Sequence, residues 1–236
     1  MVLGILGGMG PLASAEFLDT IYKLNITGPE QTAPVCLLHS DPTFPDRTKA
    51  ILSGDVRELT RRLENALERL AAAGADRIVI ACITVHHVLP ELPDELRARV
   101  ISLLDLVIEE VLRSPRPLLL LATDGTLAAG VFERQERWGL IAPQVGFLDA
   151  ADQRTLHDWI YRLKERHHPR ECMEWLDSLP AKYGKEGFIF GCTELHIVHK
   201  YFERDARRFD RRAIDPLLIA AREWRRFAAA SGLDKS

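Results

Sequence analysis

The sequence lacks several features that mark whole classes of protein. It has only four cysteines and no C-x-x-C pair, so it indicates neither a disulfide scaffold nor a zinc ribbon, and it favours reduced thiols. No apolar run reaches the roughly 18 residues that a membrane-spanning helix needs. The first residues are apolar but carry no basic region of the kind that opens a signal peptide. We therefore expect a cytoplasmic protein without a membrane partner.

An excess of charge of one sign is also missing. The chain has 31 basic and 34 acidic residues and a net charge of −3, which gives no electrostatic basis for binding nucleic acid or an anionic membrane. A small molecule is the expected partner. With 236 residues and 47% hydrophobic content, the chain can bury a full core.

No low-complexity tract interrupts the chain, in which short apolar runs alternate with amphipathic segments. The runs predict strands at 2–6, 34–38, 78–81, 118–122, 140–142, 188–191 and 213–215, with one more near 100. Helices are predicted at 12–24, 55–73, 126–134, 150–166, 169–179 and 216–230. Such alternation predicts α/β architecture with parallel sheets. We expect a first domain at 1–114, completed by a C-terminal helix at 212–236, and a second domain at 115–211.

The most informative pattern is a repeat. Residues 78–82 read Ile-Val-Ile-Ala-Cys and residues 188–192 read Phe-Ile-Phe-Gly-Cys, and each is followed within two positions by a threonine. Each cysteine thus lies at the carboxyl end of a predicted buried strand, where open α/β sheets bind ligands and where a following helix N-terminus favours thiolate. A lone cysteine is most often a buried core residue. The repetition predicts instead that Cys82 and Cys192 face each other across a cleft.

Three shorter features point to anion binding, each with an alternative. Gly8-x-Gly10-x-x-Ala13 meets the dinucleotide fingerprint nominally, but Pro11 removes an N–H donor and no acidic residue clearly ends the next strand, so a carboxylate-sized anion or a plain turn is favoured. The segment 123–126 could hold an anion or simply cap a helix. Arg47, in the loop 39–48, could bind a carboxylate or pair with Asp46 at the surface.

Two thiols on opposite sides of one carbon permit inversion at that carbon. One thiolate removes the Cα proton while the opposite thiol delivers another to the far face. Each cysteine then needs a pKa near the working pH, for which helix N-termini and the hydroxyls of Thr84 and Thr193 are the expected sources.

Six motifs, spread over nearly the whole chain, resemble those of a known family. They are Gly7-Gly-Met-Gly-Pro-Leu-Ala13, Pro45-Asp-Arg47, Cys82-x-Thr84-x-His86, Ala122-Thr-x-Gly-Thr126, Ile160-Tyr-x-Leu-Lys164 and Gly191-Cys-Thr-Glu-Leu195. In them the chain resembles the aspartate/glutamate racemase family, in particular its cofactor-independent amino-acid racemases. The resemblance implies two pseudo-symmetric Rossmann-like α/β domains with parallel sheets, an active site in the interdomain cleft, and a homodimer. It implies racemisation of an acidic amino acid, aspartate before glutamate, without pyridoxal phosphate or metal.

The same resemblance assigns roles to residues at matching positions. Cys82 and Cys192 would be the two catalytic bases. His86 and Glu194 would hold the protonation of the thiols. The substrate would contact Met9, Gly10, Arg47, Thr84, Thr123, Lys164 and Thr193, with Arg47 and Lys164 on its side-chain carboxylate.

One position departs from the family pattern. Ile83 stands where the family has an asparagine that helps to bind the α-carboxylate, so a polar contact of about 1 kcal/mol is missing. His87 or His196 could supply a replacement donor. Ile83 also keeps open an inactive ligand-binding relative. The resemblance itself keeps open a related isomerase or decarboxylase of dicarboxylates. The pair His196-x-x-His199 has no convincing third ligand, so no metal site is expected.

Overall fold

The computed structural model describes residues 1–165, 168–203 and 213–230. Two parallel sheets form its frame. The first contains β1 (Val2–Gly7), β2 (Val35–Ser40) and β3 (Arg77–Ile80) in the order β2-β1-β3. The second contains β4 (Leu118–Ala122), β5 (Val145–Gly146), β6 (Gly187–Gly191) and β7 (Ala213–Ile214) in the order β5-β4-β6-β7.

Helices connect these strands and cover the sheets. They are α1 (Pro11–Asn25), α2 (Arg47–Ser53), α3 (Arg57–Ala72), α4 (Asp94–Arg97), α5 (Leu103–Arg113), α6 (Asp124–Ala128), α7 (Ala150–Lys164), α8 (Pro169–Tyr183), α9 (Leu195–Glu203), α10 (Pro216–Arg222) and α11 (Trp224–Ala230). Short 3₁₀ helices occur at Glu30–Thr32, Thr84–Glu91, Trp138–Leu140 and Ala142–Gln144. Within the described ranges, no helix is long and apolar enough to span a lipid bilayer.

The two sheets repeat one topology, which confirms the predicted fold class. In each, the first strand is central and pairs with the second and third strands of its half. An isolated bridge from Ile78 to Val100 extends the first sheet where β7 extends the second. Cys82 follows β3, and Cys192 follows β6, so both cysteines lie at corresponding strand ends. The Thr193 hydroxyl donates to the Ala81 carbonyl at 3.0 Å and joins these two ends.

The halves share their largest hydrophobic cluster. It contains Leu3 of β1, Phe17 of α1, Leu120 of β4 and Leu217 of α10, all with essentially no exposed surface. A second cluster lies beneath α3, and a third lies beneath α7 and α8. Because apolar residues cover both faces of the inner strands, β1, β3, β4 and β6 are near-continuous hydrophobic runs, as in other buried parallel sheets, whereas the edge strand β2 is partly exposed.

Most predicted elements are found, with local differences. The strand predicted at 140–142 is wrong: these residues belong to 3₁₀ turns, and the two-residue β5 that follows is too short to have a detectable period. The loop 39–48 is shorter than predicted, because the Asp46 carboxylate accepts the Lys49 N–H and starts α2 at Arg47. The helix predicted at 216–230 is divided between α10 and α11. The predicted end at residue 166, and residues 212 and 231–236, lie outside the described residues.

Candidate active site

A narrow pocket of about 10 Å³ lies where the carboxyl ends of the strands from the two sheets meet. All of the predicted site residues line it except Gly10 and His86. The lining consists of Met9, Asp46, Arg47, Thr48, Cys82, Ile83, Thr84, Thr123, Lys164, Cys192, Thr193 and Glu194.

Cys192 is a buried thiol that binds a carboxylate. Its Sγ donates a hydrogen bond to Oε2 of Glu194 at 2.9 Å. Burial, followed by the charge of Glu194, raises the pKa of Cys192 well above its ordinary value, although Lys164 acts in the opposite direction. The expectation that its surroundings bring this pKa near the working pH is therefore wrong. The Thr193 hydroxyl is engaged by Ala81 instead.

Cys82 is also buried, but it lies beside a cation. Burial lowers the pKa of Arg47, while the charges of Cys82, Glu194 and Asp46 raise it further than burial lowers it. The guanidinium and the Cys82 thiol are therefore within electrostatic reach. The two sulfurs of the pocket have neighbours of opposite charge: a guanidinium lies near Cys82 and a carboxylate lies near Cys192.

Backbone carbonyls orient Arg47 at the start of α2. Its Nη1 donates to the Pro45 carbonyl at 2.9 Å, and its Nη2 donates to the Met9 carbonyl at 2.8 Å. The alternative surface pair with Asp46 does not form, since Asp46 Oδ2 accepts a hydrogen bond from the Tyr161 hydroxyl at 2.8 Å. Arg47 thus faces the pocket with its geometry fixed by the loop after β1.

Three hydroxyls form a buried triangle at the pocket wall. Thr84 Oγ1 lies 2.8 Å from that of Thr126 and 3.3 Å from that of Thr123, and the latter two are 3.0 Å apart. Thr123 also caps α6 by accepting the Thr126 N–H. Gly125, in the same segment, allows α6 to approach α2 closely, because a Cβ there would lie 2.7 Å from the Thr48 Cα. The segment 123–126 is therefore a helix cap and part of the pocket at once.

Gly10 and His86 support the pocket from outside its lining. A Cβ at Gly10 would lie 2.9 Å from Oε1 of Glu194, so glycine makes room for that carboxylate. His86 Nδ1 lies 2.9 Å from the Cys82 carbonyl, and since a carbonyl only accepts, this nitrogen carries the proton. Burial lowers the pKa of His86 to about 4, so the ring is neutral. Its hydrogen bond reaches the backbone of Cys82, in contrast to the expected contact with the thiol.

Neither histidine considered as a replacement for the missing amide reaches the pocket. His87 Nδ1 lies 3.3 Å from Arg134 Nη1. His196 lies between Asp215, at 2.7 Å, and Thr20, at 3.0 Å. Ile83 lines the pocket and belongs to the shared core. Its side chain makes this part of the wall apolar.

Sequence reasoning did not assign three residues that build the site: Asp46, Thr48 and Tyr161. Tyr161 was visible inside the 160–164 motif, and Asp46 and Thr48 flank Arg47. Their importance depends on contacts between α2 and α7, which no local pattern reports. Within the described ranges, no group of three His, Cys, Asp or Glu side chains is placed to hold a metal ion.

Comparison with known proteins places the chain in a family. The sequence model described as "Asp/Glu/Hydantoin racemase" matches residues 6–224. The chain belongs to the Asp/Glu/hydantoin racemase family. This membership confirms the predicted enzyme class, an isomerase similar to aspartate and glutamate racemases. A curated relative in the family is the broad specificity amino-acid racemase RacX of Bacillus subtilis, 21% identical over 212 residues, which cover 86% of this chain and 90% of that protein.

Solved structures of racemases share the fold. The Picrophilus torridus aspartate racemase superposes with a TM-score of 0.79 at 22% identity, covering 98% of this chain and 94% of that one. A glutamate racemase from Campylobacter jejuni superposes with a TM-score of 0.60 at 16% identity, covering 98% and 85%. At these identities the likeness establishes the fold of the family, and the substrate has to be argued from the pocket.

Proposed function

We propose that the chain racemises an acidic amino acid, aspartate before glutamate, by proton transfer between two cysteines and without a cofactor. One observation carries the proposal: two buried thiols, Cys82 and Cys192, line one pocket and have neighbours of opposite charge. A two-base reaction needs one sulfur charged and one neutral at the start. Arg47 beside Cys82 and Glu194 beside Cys192 supply that difference.

The proposed step transfers one proton on each face of the substrate. The Cys82 thiolate takes the Cα proton, and the Cys192 thiol delivers its own proton to the opposite face. The products are the other enantiomer, a Cys82 thiol and a Cys192 thiolate. The reverse reaction starts from this state. The first state is restored when the Cys82 thiol releases its proton to water and the Cys192 thiolate takes a proton from water. The raised pKa of Cys192 keeps it protonated at neutral pH, ready to donate.

The remaining pocket residues bind the two carboxylates of the substrate. Arg47 and Lys164 bind the side-chain carboxylate, since a planar guanidinium and an ammonium both suit it. Thr84 and Thr193 lie beside the α-carboxylate, and Thr123 lines the same pocket as Arg47 and Lys164. Met9 approaches the ligand through the turn after β1, where Gly10 makes room for Glu194. Burial of the threonine hydroxyls strengthens their effect on the negative charge that develops at Cα.

Proton NMR in D2O tests the proposal with each enantiomer of aspartate and glutamate. The wild type is expected to exchange the α-proton of aspartate and to invert its configuration, also after dialysis against a metal chelator. Cys82→Ser and Cys192→Ser should each lose racemisation, because one face has no acid, and can retain exchange on the other face. Cys36→Ser, a half-buried thiol away from the pocket, is the matched control and should keep activity. Full activity in either pocket variant, or no exchange with any of the four amino acids, would contradict the two-base proposal.

The assembly and the division of the chain also belong to the proposal. The motif resemblance supports a homodimer, and the expectation of reduced thiols supports the cytoplasm. The restart of the strand and helix pattern after residue 114 supports domains at 1–114, completed by a C-terminal helix at 212–236, and at 115–211. The packing of α10 on α1 and α5 supports a return of the chain to the first half. Light scattering after gel filtration tests the dimer, and a monomer at micromolar concentration would contradict it.

A further inference from the structure

A carboxylate stands in the pocket beside the two cations assigned to the substrate. Asp46 lines the same pocket as Arg47 and Lys164. Burial raises the pKa of Asp46, but hydrogen bonds from Lys49 and Tyr161 and the charges of Arg47 and Lys164 lower it by more. Asp46 is therefore ionised at neutral pH. An ionised carboxylate so placed is a rival for the side-chain carboxylate of an acidic amino acid.

Two neutral hydrogen-bond donors bind the carboxylate of Asp46. Asp46 Oδ1 accepts the backbone N–H of Lys49 at 2.8 Å, and Oδ2 accepts the hydroxyl of Tyr161 at 2.8 Å. Within the part of the chain that the structure describes, neither Arg47 nor Lys164 forms a salt bridge with it. Arg47 donates to two backbone carbonyls, and the Lys164 ammonium lies over an aromatic ring.

Tyr161 contacts both the Asp46 carboxylate and the Lys164 ammonium. Its hydroxyl reaches across from α7 to the cap of α2, while its ring lies 4.1 Å from the Lys164 Nζ, in cation–π contact. His157, one turn earlier on α7, stacks on the same ring with centroids 4.7 Å apart. Burial, followed by Asp46, raises the pKa of Tyr161 to about 12, so the hydroxyl keeps its proton. One side chain thus holds the rival carboxylate and places the ammonium.

We propose that Tyr161 is a positioning residue that sets specificity for acidic substrates: it binds Asp46 and keeps this carboxylate away from Arg47 and Lys164. Both cations are then left for the side-chain carboxylate of the substrate. The inference deepens the proposed function and rests on it.

Asp46 is the N-cap of α2, which explains why an acidic residue is found beside the pocket. The same role in capping makes a test of the inference possible. An N-cap needs a side-chain acceptor, which asparagine supplies as well as aspartate. Asp46→Asn therefore keeps the cap of the helix that begins at Arg47 and removes only the competing charge. If Tyr161 acts by restraining the charge of Asp46, loss of the Tyr161 hydroxyl should raise KM when residue 46 is aspartate. It should leave KM nearly unchanged when residue 46 is asparagine.

The experiment is a double-mutant cycle on the full chain, read as KM and kcat for L-aspartate. Tyr161→Phe keeps the ring and removes the hydroxyl, and should raise KM roughly tenfold with kcat changed by less than about twofold. Adding Asp46→Asn should return KM to within about threefold of the wild type and of Asp46→Asn alone, the fourth member of the cycle. Tyr183→Phe is the matched control, because its hydroxyl also donates to a carboxylate, that of Asp152, at 2.7 Å and outside the pocket. It should leave both constants unchanged.

A second readout separates this inference from the proposed function. Calorimetric titration with succinate, a dicarboxylate without an α-ammonium group, should show the same weakening in Tyr161→Phe and the same recovery in the double variant. An unchanged KM in Tyr161→Phe, or a raised KM that Asp46→Asn does not restore, would overturn the inference alone. A wild type that neither racemises aspartate nor binds succinate would overturn the proposed function and this inference together.

Discussion

At the scale of single residues, the two pocket thiols are alike in burial but differ in the charge of the residue beside them. Cys82 and Cys192 are equally buried, and both follow a buried strand. Arg47 lies beside the first, while the second donates a hydrogen bond to Glu194. Burial disfavours a thiolate, and an adjacent carboxylate disfavours it further. Cys192 therefore begins the proposed reaction as the neutral thiol.

Glu194→Gln tests this difference at Cys192. Removing the carboxylate charge should lower the pKa of Cys192, because Glu194 is the second cause of its rise, while burial keeps the value above the ordinary one. The alkylation rate at Cys192, followed by mass spectrometry against pH, should then rise at lower pH than in the wild type. Glu186→Gln, the same change at an exposed position, is the control. Coincident pH profiles for Glu194→Gln and the wild type would contradict the assigned role.

At the scale of elements, the site depends on how closely two short helices approach. The starts of α2 and α6 carry Arg47 and Thr123, and they contact each other through Thr48 and Gly125. The glycine has no Cβ to separate them. The backbone conformation of Gly125 is ordinary, so packing alone requires glycine here.

Gly125→Ala is therefore expected to lower kcat/KM for aspartate by roughly tenfold or more, because a Cβ 2.7 Å from the Thr48 Cα forces the two helix starts apart. Gly139→Ala is the matched control, since a Cβ there meets no atom within 4 Å. Steady-state kinetics, with circular dichroism to confirm folding, compares the two. Equal kcat/KM values would show that this contact does not align the pocket.

At the scale of the whole molecule, the halves share a core and should unfold together. Leu3 and Phe17 of the first half and Leu120 of the second belong to one buried cluster. Exposing either half would also expose apolar surface of the other, at about 25 cal/mol per Å². Differential scanning calorimetry should show one transition, with the calorimetric enthalpy equal to the van't Hoff enthalpy.

A variant in the shared core sharpens that test. Leu120→Ala should cost about 2–5 kcal/mol and move the single transition to lower temperature without dividing it. Leu176→Ala, a buried leucine in the cluster beneath α8, is the comparison. Two resolved transitions in the wild type, or in Leu120→Ala alone, would show that the halves unfold independently.

The sequence by itself determined the elements and the location of the chemistry. Buried parallel strands are continuous apolar runs, so β1, β3, β4 and β6 are visible in the chain, and the residues after them mark the strand ends where ligands bind. That is why Cys82 and Cys192 could be placed in one cleft in advance, whereas the place of Met9 was implied by the family resemblance. The strand β5 has only two residues, which is too few to show a period in the sequence.

Tertiary structure alone decided which groups meet inside the pocket. The hydroxyl of Tyr161 and the carboxylate of Asp46 form a hydrogen bond although they are 115 residues apart in the chain. The ring of His86 donates a hydrogen bond to the carbonyl of Cys82 and not to its thiol. The rise in the pKa of Cys192 follows from burial first and from Glu194 second. Burial and charge proximity are properties of the folded arrangement of both halves, and local periodicity contains no information about them.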